Sequence, residues 1–177
     1  MDLIKEILSK ILETLIIYFP SMAANGAPVL IKKGTPIDMN KRFIDGRRIF
    51  GDGKTFEGLG LFIIFGTAIG SIYTVYTNNI YFILYGLISG VGACVGDLLG
   101  AFIKRRLGIE RGAPAPLLDQ TNFLVLATIV IRLSGIEKYV NLHINIENYI
   151  IGVLLIPLIH LATNYGAFRL KLKKVPY

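Results

Sequence analysis

The chain has 177 residues, 53% of them hydrophobic, with a mean hydropathy of +0.58. Only 18% are charged, against about 25% in ordinary soluble domains. That excludes a disordered tail, a collagen-like fibre and a disulfide scaffold, and it argues for a small membrane protein, because one water-facing fold of this size cannot hide so much apolar surface. The net charge is +7, from 19 Lys and Arg against 12 Asp and Glu.

A bilayer core takes about 20 apolar residues in helix. Five stretches meet or approach that length: residues 14–31, 59–76, 81–103, 117–136 and 149–168. They predict an all-α polytopic membrane protein, residues 1–177 forming a single domain with cytoplasmic loops 32–58 and 104–116. Residues 1–27 have some features of a signal peptide, but Asp2 and Glu6 stand beside Lys5 at its start. Leu3, Ile7, Leu8, Ile11, Leu12 and Leu15 also fall at helical spacing, so an amphipathic helix leading into span one is expected.

Span one ends in Asn25-Gly26-Ala27-Pro28-Val29. An Asn beside Gly and Pro in an apolar run predicts a broken helix, tolerated where it faces protein or a wet cavity. The loop that follows holds Lys32, Lys33, Lys41, Arg42, Arg47, Arg48 and Lys54. Its Gly51-Asp52-Gly53-Lys54-Thr55-Phe56-Glu57-Gly58 is not a Walker A motif, since Arg48 stands where the first Gly is required. It still offers backbone N–H groups, a lysine and a hydroxyl, which suit phosphate. Asp45-Gly46-Arg47-Arg48 starts like the alcohol phosphotransferases acting on CDP-lipids, but their longer pattern does not continue.

Spans two and three carry Gly66 and Gly70, then Gly92, Gly96 and Gly100, at helix-contact spacing. Packing within the bundle explains them, and a homodimer seam is the alternative. Cys94, the single cysteine, reads as a buried small hydrophobe.

Asp97 lies in span three near its cytoplasmic end, and an acid at the centre of a spanning helix costs about 2.5–3.5 kcal/mol. Lys104 follows seven residues on, nearly on the same face and about 10 Å along the axis. Asp119 opens span four in Leu118-Asp119-Gln120-Thr121-Asn122. A helix cap is its plain reading. Beside Asp97 it makes a pair of carboxylates suited to hard magnesium, which keeps waters and shares phosphate ligands. In span five, His160 and Asn164 share a face, and a hydrogen bond to another helix accounts for them. No His/Cys cluster indicates zinc, and no Gly-x-Ser-x-Gly elbow indicates a serine hydrolase.

The charges sort by side. Fifteen of the nineteen Lys and Arg lie in the two long loops and the tail (Arg169, Lys171, Lys173, Lys174), leaving Lys5, Lys10, Arg132 and Lys138 opposite. The positive-inside rule then places the N-terminus outside and the C-terminus in the cytoplasm. The basic balance is a topology signal and a reception site for phosphate, with no nucleic-acid partner expected.

Gly96-Asp97-Leu98, Lys104-Arg105 and Leu118-Asp119-Gln120-Thr121-Asn122 resemble the motifs of the CTP-dependent phospholipid cytidylyltransferases. Against the bacterial phosphatidate enzymes, Ala101 stands near a serine position, Gly112-Ala113-Pro114-Ala115-Pro116 replaces a His-Gly-Gly stretch, and Asn122 stands at an acid position. The archaeal branch, the CDP-archaeol synthases, is similar over nearly the whole chain. The matching blocks are Met22 to Val29, Gly51 to Gly58, Gly96 to Gln120, and the tail at His160, Asn164-Tyr165 and Leu172 to Tyr177.

The resemblance implies transfer of CMP from CTP to 2,3-bis-O-(geranylgeranyl)-sn-glycerol 1-phosphate with magnesium, releasing pyrophosphate, in the cell membrane with the site facing the cytoplasm. It implies Asp97 and Asp119 as catalytic metal ligands and Lys104 as a further catalytic residue. Asn25, Pro28, Lys54, Thr55, Lys104, Arg105 and Gln120 are then expected to bind CTP and lipid phosphate. The rival is a small transporter or channel with Asp97, Asn25 and His160 along an ion path, but no internal repeat supports it.

Overall fold

The computed structural model describes residues 2–110, 113, 115 and 118–173. Arg111, Gly112, Pro114, Pro116, Leu117 and the tail from Lys174 lie outside the described residues. The described chain is helical, with two isolated bridges and no strand. The helices are α1 (Asp2–Gly26), α2 (Phe56–Thr77), α3 (Tyr81–Arg106), α4 (Leu118–Ser134), the short α5 (Glu137–Val140) and α6 (Ile146–Arg169), with a 3₁₀ turn at Ala27–Leu30.

Among the described residues, four segments are long and apolar enough to cross a bilayer: Leu3–Leu30, Phe56–Thr77, Tyr81–Arg106 and Ile146–Arg169. α4, at 17 residues, extends about 25 Å and is shorter than a full crossing of about 30 Å. The expected amphipathic lead and span one form a single continuous helix from Asp2. The break at Asn25–Pro28 is present, as the change from α-helix to 3₁₀ turn after Gly26. Large apolar side chains such as Ile64, Val75, Val95, Leu99, Leu133, Leu154 and Leu158 point outward. Helices that are apolar all round in this way are built for lipid.

α3 is the central helix, packed against α1, α2 and α4. Glycine makes these contacts close. A Cβ at Gly66 would lie 2.9 Å from the Cα of Gly90, and Gly70 meets Gly86 in the same way. On another face of α3, a Cβ at Gly92 would lie 2.6 Å from Ala127 Cα, and one at Gly96 would lie 2.6 Å from Phe123 Cα. Both glycine stripes are thus used inside the bundle, where backbones touch. Neither remains as a seam for a second copy.

Polar bonds inside the bundle compensate for broken helix geometry. Pro20 has no N–H, so the Ile16 carbonyl loses its helical partner. The Tyr73 hydroxyl donates to that carbonyl at 2.9 Å, and Tyr85 donates to the next one, of Ile17, at 2.8 Å. Tyr18 and Thr128 share a bond of 2.9 Å, and the Asn148 amide donates to Thr14 at 3.2 Å, tying α1 to α4 and α6. Away from water, each of these groups would be costly without its partner. Cys94 is buried and free.

Chain direction collects the C-terminal ends of α1, α3 and α6 with the N-terminal ends of α2 and α4 at one end of the bundle. The long 31–55 loop lies there too. At the other end, Lys10 pairs with Glu13 and Glu147 at 3.1 and 3.7 Å, and the Asn79 amide donates to the Tyr139 carbonyl at 2.7 Å.

Candidate active site

The loop has no strand to order it; a buried carboxylate does so instead. The Asp38 side chain is fully buried. It accepts from Arg48 Nε at 3.2 Å and from the backbone N–H groups of Phe50 and Gly51 at 3.0 and 2.9 Å, and it pairs with Arg48 Nη2. Burial alone would raise its pKa, but the Arg48 guanidinium and the Gly51 and Phe50 N–H groups outweigh burial and hold it well below the ordinary carboxylate range. The loop also latches to α3. Arg47 donates to the Arg106 and Arg105 carbonyls, while Arg106 donates to the Arg48 carbonyl at 2.6 Å and pairs with Asp45 at 3.1 Å. The Arg106 guanidinium lies 4.8 Å from the centroid of the Phe43 ring and 4.9 Å from that of Phe102.

Held in this way, the loop delivers Lys54 to α3. Lys54 Nζ donates to both oxygens of Asp97, at 2.6 Å each. The spacing placed Lys104 on nearly the same face as Asp97 but about 10 Å along the axis, and the two do not meet. Lys104 instead pairs with Asp119 across the α3–α4 junction, at 2.9 and 3.0 Å, and donates to the Ala113 carbonyl. Asp119, in the first turn of α4, also accepts from the Ala115 N–H at 3.0 Å, which fixes the residue before the helix against it while it faces the site.

Thr55 is the N-cap of α2. Its Oγ1 accepts from the Gly58 N–H at 3.1 Å, while Glu57 reaches back to the Thr35 N–H and hydroxyl. The Thr55 oxygen therefore reaches a phosphate only by sharing that cap.

These groups enclose a cavity of about 160 Å³. Asn25, Lys54, Asp97, Lys104, Arg105 and Asp119, all expected site residues, line it together with Phe50 to Gly53, Asn122 and Phe123. Pro28 and Thr55 line an adjoining recess that shares Lys54 and Asp97. Gln120 is on the first turn of α4, outside both linings. Asn25 Nδ2 is 3.4 Å from His160 Nδ1, so His160 makes the expected bond to another helix, and that bond is at the cavity wall.

Among the described residues, two polar atoms of cavity-lining side chains have no protein partner. They are Arg105 Nε and the Asn122 amide nitrogen, which sits over Gly100, where a Cβ would come within 2.5 Å of it. Among the described residues no three His, Cys, Asp or Glu side chains cluster as a metal site. The Asp97 and Asp119 carboxylates, here paired with Lys54 and Lys104, are hard oxygen donors of the kind magnesium takes.

Sequence reasoning missed the scaffold role of Asp38 and Arg106. Asp38 is an acid among many charges, and its partners at Arg48, Phe50 and Gly51 follow no periodicity.

A family model described as "CarS-like: CDP-archaeol synthase" matches residues 7–177. The chain belongs to the CDP-archaeol synthase family. It is 47% identical over 163 residues to the CDP-archaeol synthase of Sulfolobus acidocaldarius, covering 92% of this chain and 96% of that one. It is 45% identical over 167 residues to that of Hyperthermus butylicus, covering 94% and 96%. A solved structure of an intramembrane enzyme for archaeal membrane lipid biosynthesis superposes with a TM-score of 0.78 at 39% identity, covering 87% of this chain and 94% of that one. Family membership thus rests on nearly full-length similarity, and the cavity lies where the Asn25, Gly51–Gly58 and Gly96–Gln120 blocks meet.

Proposed function

We infer that the chain is a CTP-dependent cytidylyltransferase, moving CMP from CTP to 2,3-bis-O-(geranylgeranyl)-sn-glycerol 1-phosphate in archaeal membrane lipid synthesis. The observation that carries the site assignment is the convergence of two lysine–carboxylate pairs on one cavity at the basic end of the bundle. In the reaction, a lipid phosphate oxygen attacks the α-phosphorus of CTP. The bond between the α-phosphorus and the bridging oxygen breaks, and the β- and γ-phosphates leave as pyrophosphate. Both substrates are anions, so positioning and charge neutralisation do most of the work.

Lys54, Lys104 and Arg105 are assigned to phosphate oxygens. The two lysines turn to them from carboxylates that neutralise them meanwhile. Asp97 and Asp119 would hold magnesium, which supplies further positive charge on the phosphate oxygens. Asn25, fixed against His160, borders the substrate pocket with Pro28 beneath the loop, and Thr55 sets the direction of Lys54 by capping α2. Gln120 is kept as a contact for substrate at the mouth.

In this reading α4 is a fifth crossing. The N-terminus is then outside and the C-terminus in the cytoplasm, which agrees with the fifteen cations on one side. CTP enters from that side, and the prenyl chains remain in the bilayer. The cavity is lined from one chain, and the proposed chemistry invokes no second copy. An ion path through Asp97 is disfavoured, because Lys54 from a folded loop closes over it.

The assignment is tested with Asp97→Asn in purified protein supplied with magnesium, radiolabelled CTP and the ether-lipid phosphate. Loss of labelled lipid with the fold intact is expected. Full activity in that variant would remove Asp97 from the metal site.

A further inference from the structure

The 31–55 loop carries an apolar side chain where a turn does not call for one. Phe43 to Gly46 form a tight reversal. The Phe43 N–H donates to the Arg47 carbonyl at 2.8 Å, the Gly46 N–H donates to the Phe43 carbonyl at 2.9 Å, and Gly46 supplies the left-handed backbone (φ 75°). Turns favour Gly, Pro, Asn, Asp and Ser. Ile44 stands at the tip instead, 94% exposed, so it makes almost no contact with the rest of the chain. The tip is nevertheless well supported. Phe43 meets the Phe102 ring edge-on with centroids 5.4 Å apart, and the Arg106 guanidinium lies over both rings while pairing with Asp45 at 3.1 Å.

The ring beneath the turn gives its level in the bundle. Val91, Val95 and Leu99 are exposed at helical spacing along one face of α3, and Phe102 continues that face. In a spanning helix such a face meets lipid. The basic run Lys104–Arg106 begins two residues beyond Phe102. Charge is expensive in hydrocarbon, so Phe102 sits where acyl chains give way to headgroups. Phe43 and Ile44 extend the lipid-facing ridge of α3 outward from that level. The charges around the tip have a matching sign. Asp45 is neutralised by Arg106, whereas Arg42 donates to the Gly46 carbonyl at 2.7 Å and Arg47 to the Arg105 and Arg106 carbonyls, bonds that leave their positive charge uncancelled. Lys41 beside them is exposed.

We propose that the Phe43–Ile44 turn is a membrane anchor: Ile44 inserts at the boundary of headgroups and acyl chains beside α3, and Lys41 and Arg42 face the phosphates of anionic lipid. An apolar tip flanked by cations is suited to that layer. The anchor holds the loop that carries Lys54 at the level of the bilayer surface, where it covers Asp97. The proposal rests on the lipid-facing reading of α3 and is independent of the transferase assignment.

The chain has no Trp, so Ile44→Trp introduces a single reporter at a position with no packing to disturb. The full-length variant would be reconstituted in bilayers of anionic or zwitterionic phospholipid, with acyl chains unlabelled, brominated near the headgroup or brominated near the chain ends. Leu154→Trp, at an exposed position of α6, is the reference for lipid contact. Emission from Ile44→Trp should be blue-shifted, shielded from iodide in the buffer, and lost more to bromine near the headgroup than to bromine near the chain ends. The effect should be larger in anionic bilayers, and that difference should shrink with added salt or with Lys41→Gln and Arg42→Gln in the same chain. Water-like emission that iodide quenches and bromine does not would overturn the proposal. Shielding from iodide without bromine quenching, growing with the protein-to-lipid ratio, would mean that a second copy covers the tip and would overturn it too. Equal quenching in both lipids at all salt concentrations would overturn the part assigned to the cations. If Leu154→Trp escaped bromine as well, the lipid-facing reading would fail and the anchor with it.

Discussion

Replacing Asp38 by Asn should loosen the whole 31–55 loop although the two side chains have the same shape. The wild-type carboxylate is fully buried and holds Arg48 together with the Phe50 and Gly51 N–H groups. An amide keeps one acceptor oxygen, turns an NH₂ towards groups that only donate, and leaves Arg48 without its buried charge. Breaking a buried pair in this way costs about 3–5 kcal/mol. Local opening of the loop should then become more frequent by about two to four powers of ten. Gly51 to Lys54 line the cavity, so the effect reaches the substrate. Trypsin should cut faster at Lys41, Arg42, Arg47 and Arg48, and KM for CTP should rise while the helical circular dichroism is retained. The wild-type pKa is depressed, so this contribution is complete above the ordinary value of 3.8 and is lost only as pH falls below it towards the folded value. The wild-type loop should therefore resist an acid-active protease at pH 5 as well as at pH 7. Unchanged cleavage and unchanged CTP dependence in Asp38→Asn would refute the scaffold role.

Three further outcomes are expected. Lys54→Ala frees the Asp97 carboxylate, so manganese binding without CTP, followed by paramagnetic relaxation, should tighten while KM for CTP rises; weaker metal binding would argue against competition at Asp97. Gly90→Ala places a Cβ 2.5 Å from the Phe62 carbonyl oxygen and should lower Tm clearly, whereas Gly60→Ala, with nothing within 4 Å, should be neutral or slightly stabilising in the same thermal assay. Tyr73→Phe should cost about 1 kcal/mol by leaving the Ile16 carbonyl unpaired. That cost should shrink in a Pro20→Ala background, where the helix N–H returns, and a double-mutant cycle on Tm reads the difference.

Hydropathy located the helices because lipid-facing residues must be apolar whatever their neighbours. Hydropathy alone started span one at residue 14; the helical spacing of Leu3, Ile7, Leu8, Ile11, Leu12 and Leu15 supplied the earlier part of α1, where Lys10 pairs with Glu13 and Glu147. Asp97, Asp119 and Lys54 were legible because charge is expensive near a bilayer and abundant cations invite phosphate. Their pairing was not legible. Whether Lys54 or Lys104 meets Asp97 depends on how a strandless loop folds over α3, and that fold is set by Asp38, Arg47 and Arg106 through backbone groups that carry no sequence signature. The glycines of α2 and α3 announced close contact, but only the fold shows Gly66 and Gly70 facing Gly86 and Gly90 rather than a second chain.

The central claim is cytidylyl transfer, and isotope position tests it most directly. Wild-type protein in nanodiscs would receive CTP labelled either at the α- or at the γ-phosphate, with magnesium and the ether-lipid phosphate. The account predicts that α-label enters lipid in amounts equal to the pyrophosphate released, and that γ-label appears only in pyrophosphate. Transfer of γ-label to lipid, or CTP consumption without labelled lipid, would contradict it.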